Sequence, residues 1–145
     1  MKIQLVKNEA MLAGCLEVRR KVFIDEKKVP ESIEVDGNDS LEAECEHFLV
    51  TDHGKPIGAF RCVMEKEDTV KLERFCIVEA YRGRNVGTEM SRFVENYYRE
   101  KGVSYMVANA KFETYKFYEK NGFQAISEVF IEADTPHIKI RKKLI

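Results

Sequence analysis

Residues 70–102 read VKLERFCIVEAYRGRNVGTEMSRFVENYYREKG. Val70 to Val78 carries the branched and aromatic residues of a strand. From Arg84 to Lys101, Val86, Met90, Phe93, Val94 and Tyr97 recur on one helical stripe that stops before Gly102, a residue suited to a left-handed helix end. Between strand and helix lies Tyr81-Arg82-Gly83-Arg84-Asn85-Val86-Gly87-Thr88. Successive backbone N–H groups at such a junction can converge on one anion, the helix dipole adds positive potential, and glycine permits close approach. Arg82 and Arg84 add charge of the sign a diphosphate needs. The stretch is neither GxxxxGK[ST] nor GxGxxG, because its glycines fall at 83 and 87 only. Taken alone, it also suits an ordinary surface turn with two solvated arginines.

Working outward, the chain continues the alternation of strands and helices. Upstream, Ile3 to Val6 predicts a strand. Asn8 predicts an N-cap for a helix whose stripe is Leu12, Cys15, Leu16, Val22 and Phe23. Residues 31 to 46 hold seven acids (Glu31, Glu34, Asp36, Asp39, Glu42, Glu44 and Glu46) and no base, which predicts a loop or short helix with a negative field. His47 to Thr51 and Ile57 to Met64 form a predicted hairpin around Asp52-His53-Gly54-Lys55. Downstream, Val103 to Ala108 predicts a strand and Phe112 to Lys120 a helix closed by Asn121-Gly122. Phe123 to Ile131 and Ile138 to Leu144 predict the last two strands. The whole reads as an α/β fold: a mixed sheet of about six to seven strands, about four helices, and a right-handed β-α-β crossover in the second half.

Composition bounds the function. The 145 residues suggest a single domain over 1–145, since no linker, repeat or proline-rich break divides them. Lys and Arg number 24 against 25 Asp and Glu, and a net charge of -1 argues against a dedicated nucleic-acid binder. No apolar run reaches the roughly 18 residues that span a bilayer, and MKIQLVKNEA lacks the apolar core of a secretory signal, so a cytoplasmic protein without membrane partner is expected. Cys15, Cys45, Cys62 and Cys76 form no CxxC pair. Cys45 and His47 alone do not make a ligand set, and no metal is expected.

The strings LERFCIVEAYRGRNVGTEMSRFVENYYREKG and ANAKFETYKFYEKNGF together resemble the GNAT superfamily of N-acetyltransferases, over roughly residues 70 to 125. The terminal pieces VRRKVFIDEKKVPESIEVDGND and SEVFIEADTPHIKIRKKL extend the resemblance to the ElaA-like branch and to nearly the whole chain. The resemblance implies a sheet splayed between its fourth and fifth strands. It also implies acetyl-CoA as cosubstrate, with [RQ]xxGx[GA] matched by Arg82, Asn85 and Gly87 and with Gly83, Arg84, Val86 and Thr88 completing the diphosphate loop. Asn85 stands where glycine is usual. Asparagine is the residue that, after glycine, best tolerates positive φ, so the loop geometry is expected to survive. Backbone near Cys76, Ile77 and Val78 is implied to receive the pantetheine arm through a bulged strand, and Asn109 and Tyr115 are placed beside the cofactor.

The same resemblance assigns Tyr118 as general acid. A phenol of pKa near ~10 can protonate a departing thiolate of pKa near ~8.5. On the residues alone, Tyr118 also reads as an aromatic packing the helix on the sheet, and Asn109 as a helix cap. The attacking amine must be neutral, and Glu73, Glu34, Asp36 and His137 are candidates for its proton. Glu34, Asp36 and His137 recur in the ElaA-like pattern, which hints at an acceptor pocket. The expected activity is direct acetyl transfer from acetyl-CoA to an amine of a small molecule or peptide in a ternary complex. Cys76 as nucleophile is a runner-up that lacks a neighbouring histidine. The acidic segment favours a cationic acceptor, unless it is merely a solvated face. The alternative class is a GNAT fold that binds coenzyme A as a sensor or interaction module without turnover. If the chain self-associates, a homodimer through the aromatic edge near Phe130 is the expected form.

Overall fold

The computed structural model describes residues 1–145. The elements are β1 (Lys2–Leu5), α1 (Glu9–Arg19), a π-helical turn (Arg20–Glu26), α2 (Glu31–Glu34), β2 (Glu46–Asp52), β3 (Lys55–Lys66), β4 (Thr69–Ile77), α3 (Val86–Glu100), β5 (Tyr105–Lys111), α4 (Tyr115–Lys120), β6 (Gln124–Ala125), β7 (Phe130–Glu132) and β8 (Thr135–Lys143). The chain forms two compact units: Met1–Val63 with Arg74–Val94, and Met64–Glu73 with Glu95–Ile145. β3, β4 and α3 contribute residues to both.

In the first unit, β1 and β3 flank β2 antiparallel. The β2–β3 turn is a two-residue one, with His53 and Gly54 at φ 50° and 78°, the left-handed pair that matches strand twist. Asn8 caps α1 through its Oδ1, which accepts the Met11 amide at 2.9 Å. The buried stripe Cys15, Val18 and Val22 packs against Leu49, Ala59 and Cys76. Phe48 stacks on Phe60 at 4.8 Å between ring centres. Gly58 is needed for close approach: a Cβ there would lie 3.2 Å from the Cys76 carbonyl and 3.3 Å from the Met90 sulfur.

In the second unit, β4 pairs parallel with β5 over Thr69–Tyr105, Val70–Met106 and Lys71–Val107, and the ladder ends there, as a sheet splayed between its fourth and fifth strands requires. β5 runs antiparallel to β8, which also pairs β6 and β7. The mixed α/β sheet with four helices is the expected class, but it holds eight strands. The stretch predicted as one strand from Phe123 to Ile131 is two. Ala125 pairs with Ile140 and Phe130 with His137, so residues 126–129 oppose only Ile138 and Lys139. The surplus is absorbed where the Ser127 hydroxyl, in place of a backbone carbonyl, accepts the Lys139 amide at 2.9 Å, and the strand breaks. Ala133 and Asp134, at φ 48° and 60°, turn β7 into β8.

Candidate active site

In the first unit, the end of β4 runs into the loop Arg82–Asn85 and then α3. Arg74, inside β4, is left-handed at φ 53°, an unusual backbone for a non-glycine residue that kinks the strand. Beyond the kink, the Val78 amide donates to the Ile57 carbonyl at 2.9 Å and the Val78 carbonyl accepts the Tyr81 amide at 3.0 Å. Both backbone groups of Val78 are therefore spoken for. Successive strand residues direct their backbone groups to opposite edges, so Cys76 also faces β3, consistent with its carbonyl lying against Gly58. Of the three residues expected to receive a pantetheine arm, only Ile77 presents its backbone to the edge that β3 leaves open. Its carbonyl accepts from Arg82 Nε at 3.0 Å.

A cleft of about 180 Å³ runs along this edge, lined by Val22, Lys27, Phe75, Cys76, Ile77 and Arg82. Gly83 and Asn85 sit at φ 76° and 64°. Asn85 takes the left-handed backbone that its residue type allows, as expected. The Glu89 amide donates to the Asn85 carbonyl at 3.1 Å, so the amides of Val86, Gly87 and Thr88 precede the first intrahelical donor. Gly87 lies close to Ile77, whose Cδ1 would stand 3.3 Å from an added Cβ. Arg84 lies over the Tyr81 ring at 5.2 Å, and Tyr81 in turn donates to Asp52 at 2.9 Å. Burial pushes the Cys76 thiol up to about 12, which keeps it protonated and unfit as a nucleophile at neutral pH.

Three acids of the segment are answered by arginines. Arg19, 2% exposed, meets Glu34 at 2.6 Å and Asp39 at 2.6 Å. Arg61, equally buried, grips Asp36 with both nitrogens at 2.8 Å and reaches Asp39 at 2.9 Å. Arg74 closes the cluster on Glu34 at 2.9 Å. Three arginines thus answer Glu34, Asp36 and Asp39, so these acids project little field outward. Glu34 is a buried ion-pair partner that also lines a cleft of about 390 Å³ together with Ala13, Leu16, Arg20, Ile24 and Val35. His47 joins through Nε2, 2.8 Å from the Asn38 carbonyl, and burial lowers its pKa. Sequence reasoning passed over Arg19 and Arg61, though both carry a signal: Arg19 follows Leu12 and Cys15 at helical spacing, and Arg61 interrupts the run Ala59-Phe60-Arg61-Cys62.

In the second unit, Asn109 and His137 meet at Glu132, which no sequence pattern singled out. The Asn109 amide donates to Glu132 at 3.1 Å. His137 Nε2 lies 3.7 Å from the same carboxylate, while Nδ1 donates to the Thr135 carbonyl at 2.7 Å. Tyr118 packs edge-on against Phe117 and Phe123, its hydroxyl bonds no other group of the protein, and burial raises its pKa above the ordinary tyrosine value. Tyr115 is tied locally, donating to Glu119 at 3.3 Å and accepting the Ala125 amide at 3.2 Å. Glu73 pairs with Lys71 at 3.1 Å.

The family model described as an acetyltransferase (GNAT) domain matches residues 8–144. The chain belongs to the GNAT acetyltransferase family. Among GNAT relatives, the uncharacterized N-acetyltransferase YjcF of Bacillus subtilis is 37% identical over 143 residues, covering 98% of this chain and 99% of that one. The crystal structure of Escherichia coli ElaA superposes with a TM-score of 0.83 at 26% identity, covering 98% and 99% of the two chains. A putative N-acetyltransferase from Lactobacillus plantarum shares the fold, with a TM-score of 0.92 at 23% identity over 99% and 98%. This GNAT chain is ElaA-like, and no helix in it is long and apolar enough to cross a membrane.

Proposed function

We propose that the protein transfers the acetyl group of acetyl-CoA to an amine of a small molecule or peptide, by direct attack in a ternary complex. The observation that carries this reading is the Arg82–Thr88 loop. Gly83 and Asn85 are left-handed and the first amides of α3 have no intrahelical acceptor, an arrangement that suits a diphosphate. Arg82 supplies a fork for the diphosphate oxygens. The Ile77 amide offers one strand-like donor to the pantetheine arm.

The amine nitrogen attacks the thioester carbon, the C–S bond breaks, and sulfur leaves as thiolate. Tyr118 suits the role of general acid: its phenol is protonated at neutral pH and uncommitted to any protein acceptor, so its proton can pass to the sulfur. The proton lost by the amine leaves to water or a carboxylate. Burial of Glu34 and the Arg61 fork on Asp36 favour neither as that base. With Glu34, Asp36 and Asp39 each paired to arginines, those three acids add little to any preference for a cationic acceptor.

The test is calorimetric titration with acetyl-CoA and CoA, followed by a thiol-release screen over amines, amino sugars and peptides. Binding with turnover is expected. Binding without thiol release on every acceptor would favour a coenzyme A sensor, and no binding would overturn the loop assignment.

A further inference from the structure

One ion pair outside the expected motif bears on the cofactor cleft. Glu26 ends the π-helical turn, and its carboxylate takes the Arg82 fork squarely: Nη1 to Oε2 at 2.7 Å and Nη2 to Oε1 at 2.8 Å. The remaining edge of the guanidinium is tied to the Ile77 carbonyl through Nε at 3.0 Å. Arg82 therefore stands on the wall of the cleft in a fixed orientation with its fork already filled by an anion. The pairing also draws the Glu26 carboxyl below the ordinary glutamate value. Both side chains remain partly exposed, at 39% for Arg82 and 36% for Glu26, so the pair can part without unfolding the turn.

We infer that Glu26 is a positioning residue that sets cofactor affinity: in the free protein its carboxylate occupies the Arg82 fork, and the diphosphate of coenzyme A must displace it. The inference rests on the coenzyme reading of the Arg82–Thr88 loop. A planar carboxylate and a phosphate present the same pair of oxygens to a guanidinium, so they compete for one set of donors. A retained carboxylate would also stand beside incoming negative charge, which costs free energy. Neutralising Glu26 removes both the competitor and the repulsion, and leaves the Arg82 bond to Ile77 intact.

The experiment is calorimetric titration of the full chain and its Glu26→Gln variant with CoA, 3′-dephospho-CoA and pantetheine at fixed low salt. The variant is expected to bind CoA and dephospho-CoA about two- to fivefold more tightly, the range expected from relieving one exposed ion pair. Affinity for pantetheine, which lacks the diphosphate, should not change. In an Arg82→Ala background the competition for the fork is absent and only the repulsion is left to relieve, so the gain should be smaller than in the wild-type background. Unchanged or weaker CoA binding by Glu26→Gln, or an equal gain for pantetheine, overturns the proposal and leaves the loop assignment standing. Failure of both the wild-type chain and the variant to bind CoA overturns the loop assignment, and the proposal with it.

Discussion

Arg74, left-handed in the middle of β4, holds Glu34 at 2.9 Å through Nε and also donates to the Ile33 and Glu34 carbonyls at 3.2–3.3 Å. The kink in the strand and the end of α2 are thus fastened by one side chain. Glu34 in turn holds Arg19, so the strand kink connects through two ion pairs to the end of α1.

Removing Glu34 should therefore act on stability. Glu34→Ala would take from Arg19, 2% exposed, one of its two carboxylate partners, both at 2.6 Å, and is expected to cost about 3 kcal/mol. Urea denaturation checks this. A variant as stable as the wild type would show that Arg19 finds compensation elsewhere.

Acid should loosen the same cluster in two stages. Burial opposes the charge of Asp39, but hydrogen bonds from Arg19 and the Asp36 amide, with the charges of Arg19 and Arg61, outweigh it and bring the pKa from 3.8 to about 2. Folding lowers this pKa, so the stability it confers is complete above about pH 4 and is lost as pH falls toward about 2. Burial likewise depresses His47 below 6.5. A neutral buried imidazole contributes stability above its unfolded pKa that declines as pH drops below about 6.5. Denaturation midpoints at constant ionic strength should fall in both windows, and a profile flat between about pH 4 and pH 2 would contradict the Asp39 part.

Tyr118→Phe keeps the ring that packs on Phe117 and Phe123 and removes a hydroxyl that bonds nothing in the protein. Stability is expected to change by less than about 0.5 kcal/mol. If the phenol protonates the leaving thiolate, kcat should drop about 100-fold or more, with CoA affinity nearly unchanged. Full turnover in the variant would remove Tyr118 from the chemistry.

Asn85 adopts φ 64° in the loop that precedes α3. Asn85→Gly is expected to retain or tighten CoA binding, since glycine meets no penalty there. Asn85→Ala places a Cβ on a left-handed residue at a cost of about 1–2 kcal/mol, and CoA affinity should weaken by about fivefold or more. Equal affinity across the two variants would show that the loop conformation does not matter to binding.

Much of this was legible in the chain, because local interactions decide it. The β4-loop-α3 unit, the Asn8 cap, the His53–Gly54 hairpin and the left-handed Asn85 depend on residues a few positions apart. The Phe123–Ile131 stretch misled because its break depends on Ser127 meeting Lys139, twelve positions away. The turn at Ala133–Asp134 carries no glycine or proline to announce it.

Periodicity and turn chemistry, which act over one or two turns of chain, were enough for the sequence alone to determine the α/β class, the glycine-containing loop between β4 and α3 and the helix bearing Tyr118. What the acidic segment does was settled only in three dimensions. Seven acids without a base predict a field, yet Arg19, Arg61 and Arg74, lying 15 to 40 positions from their partners, pair with three of them. The outcome depends on which charges the fold brings within hydrogen-bond reach and removes from water, and neither is a property of any short stretch of sequence.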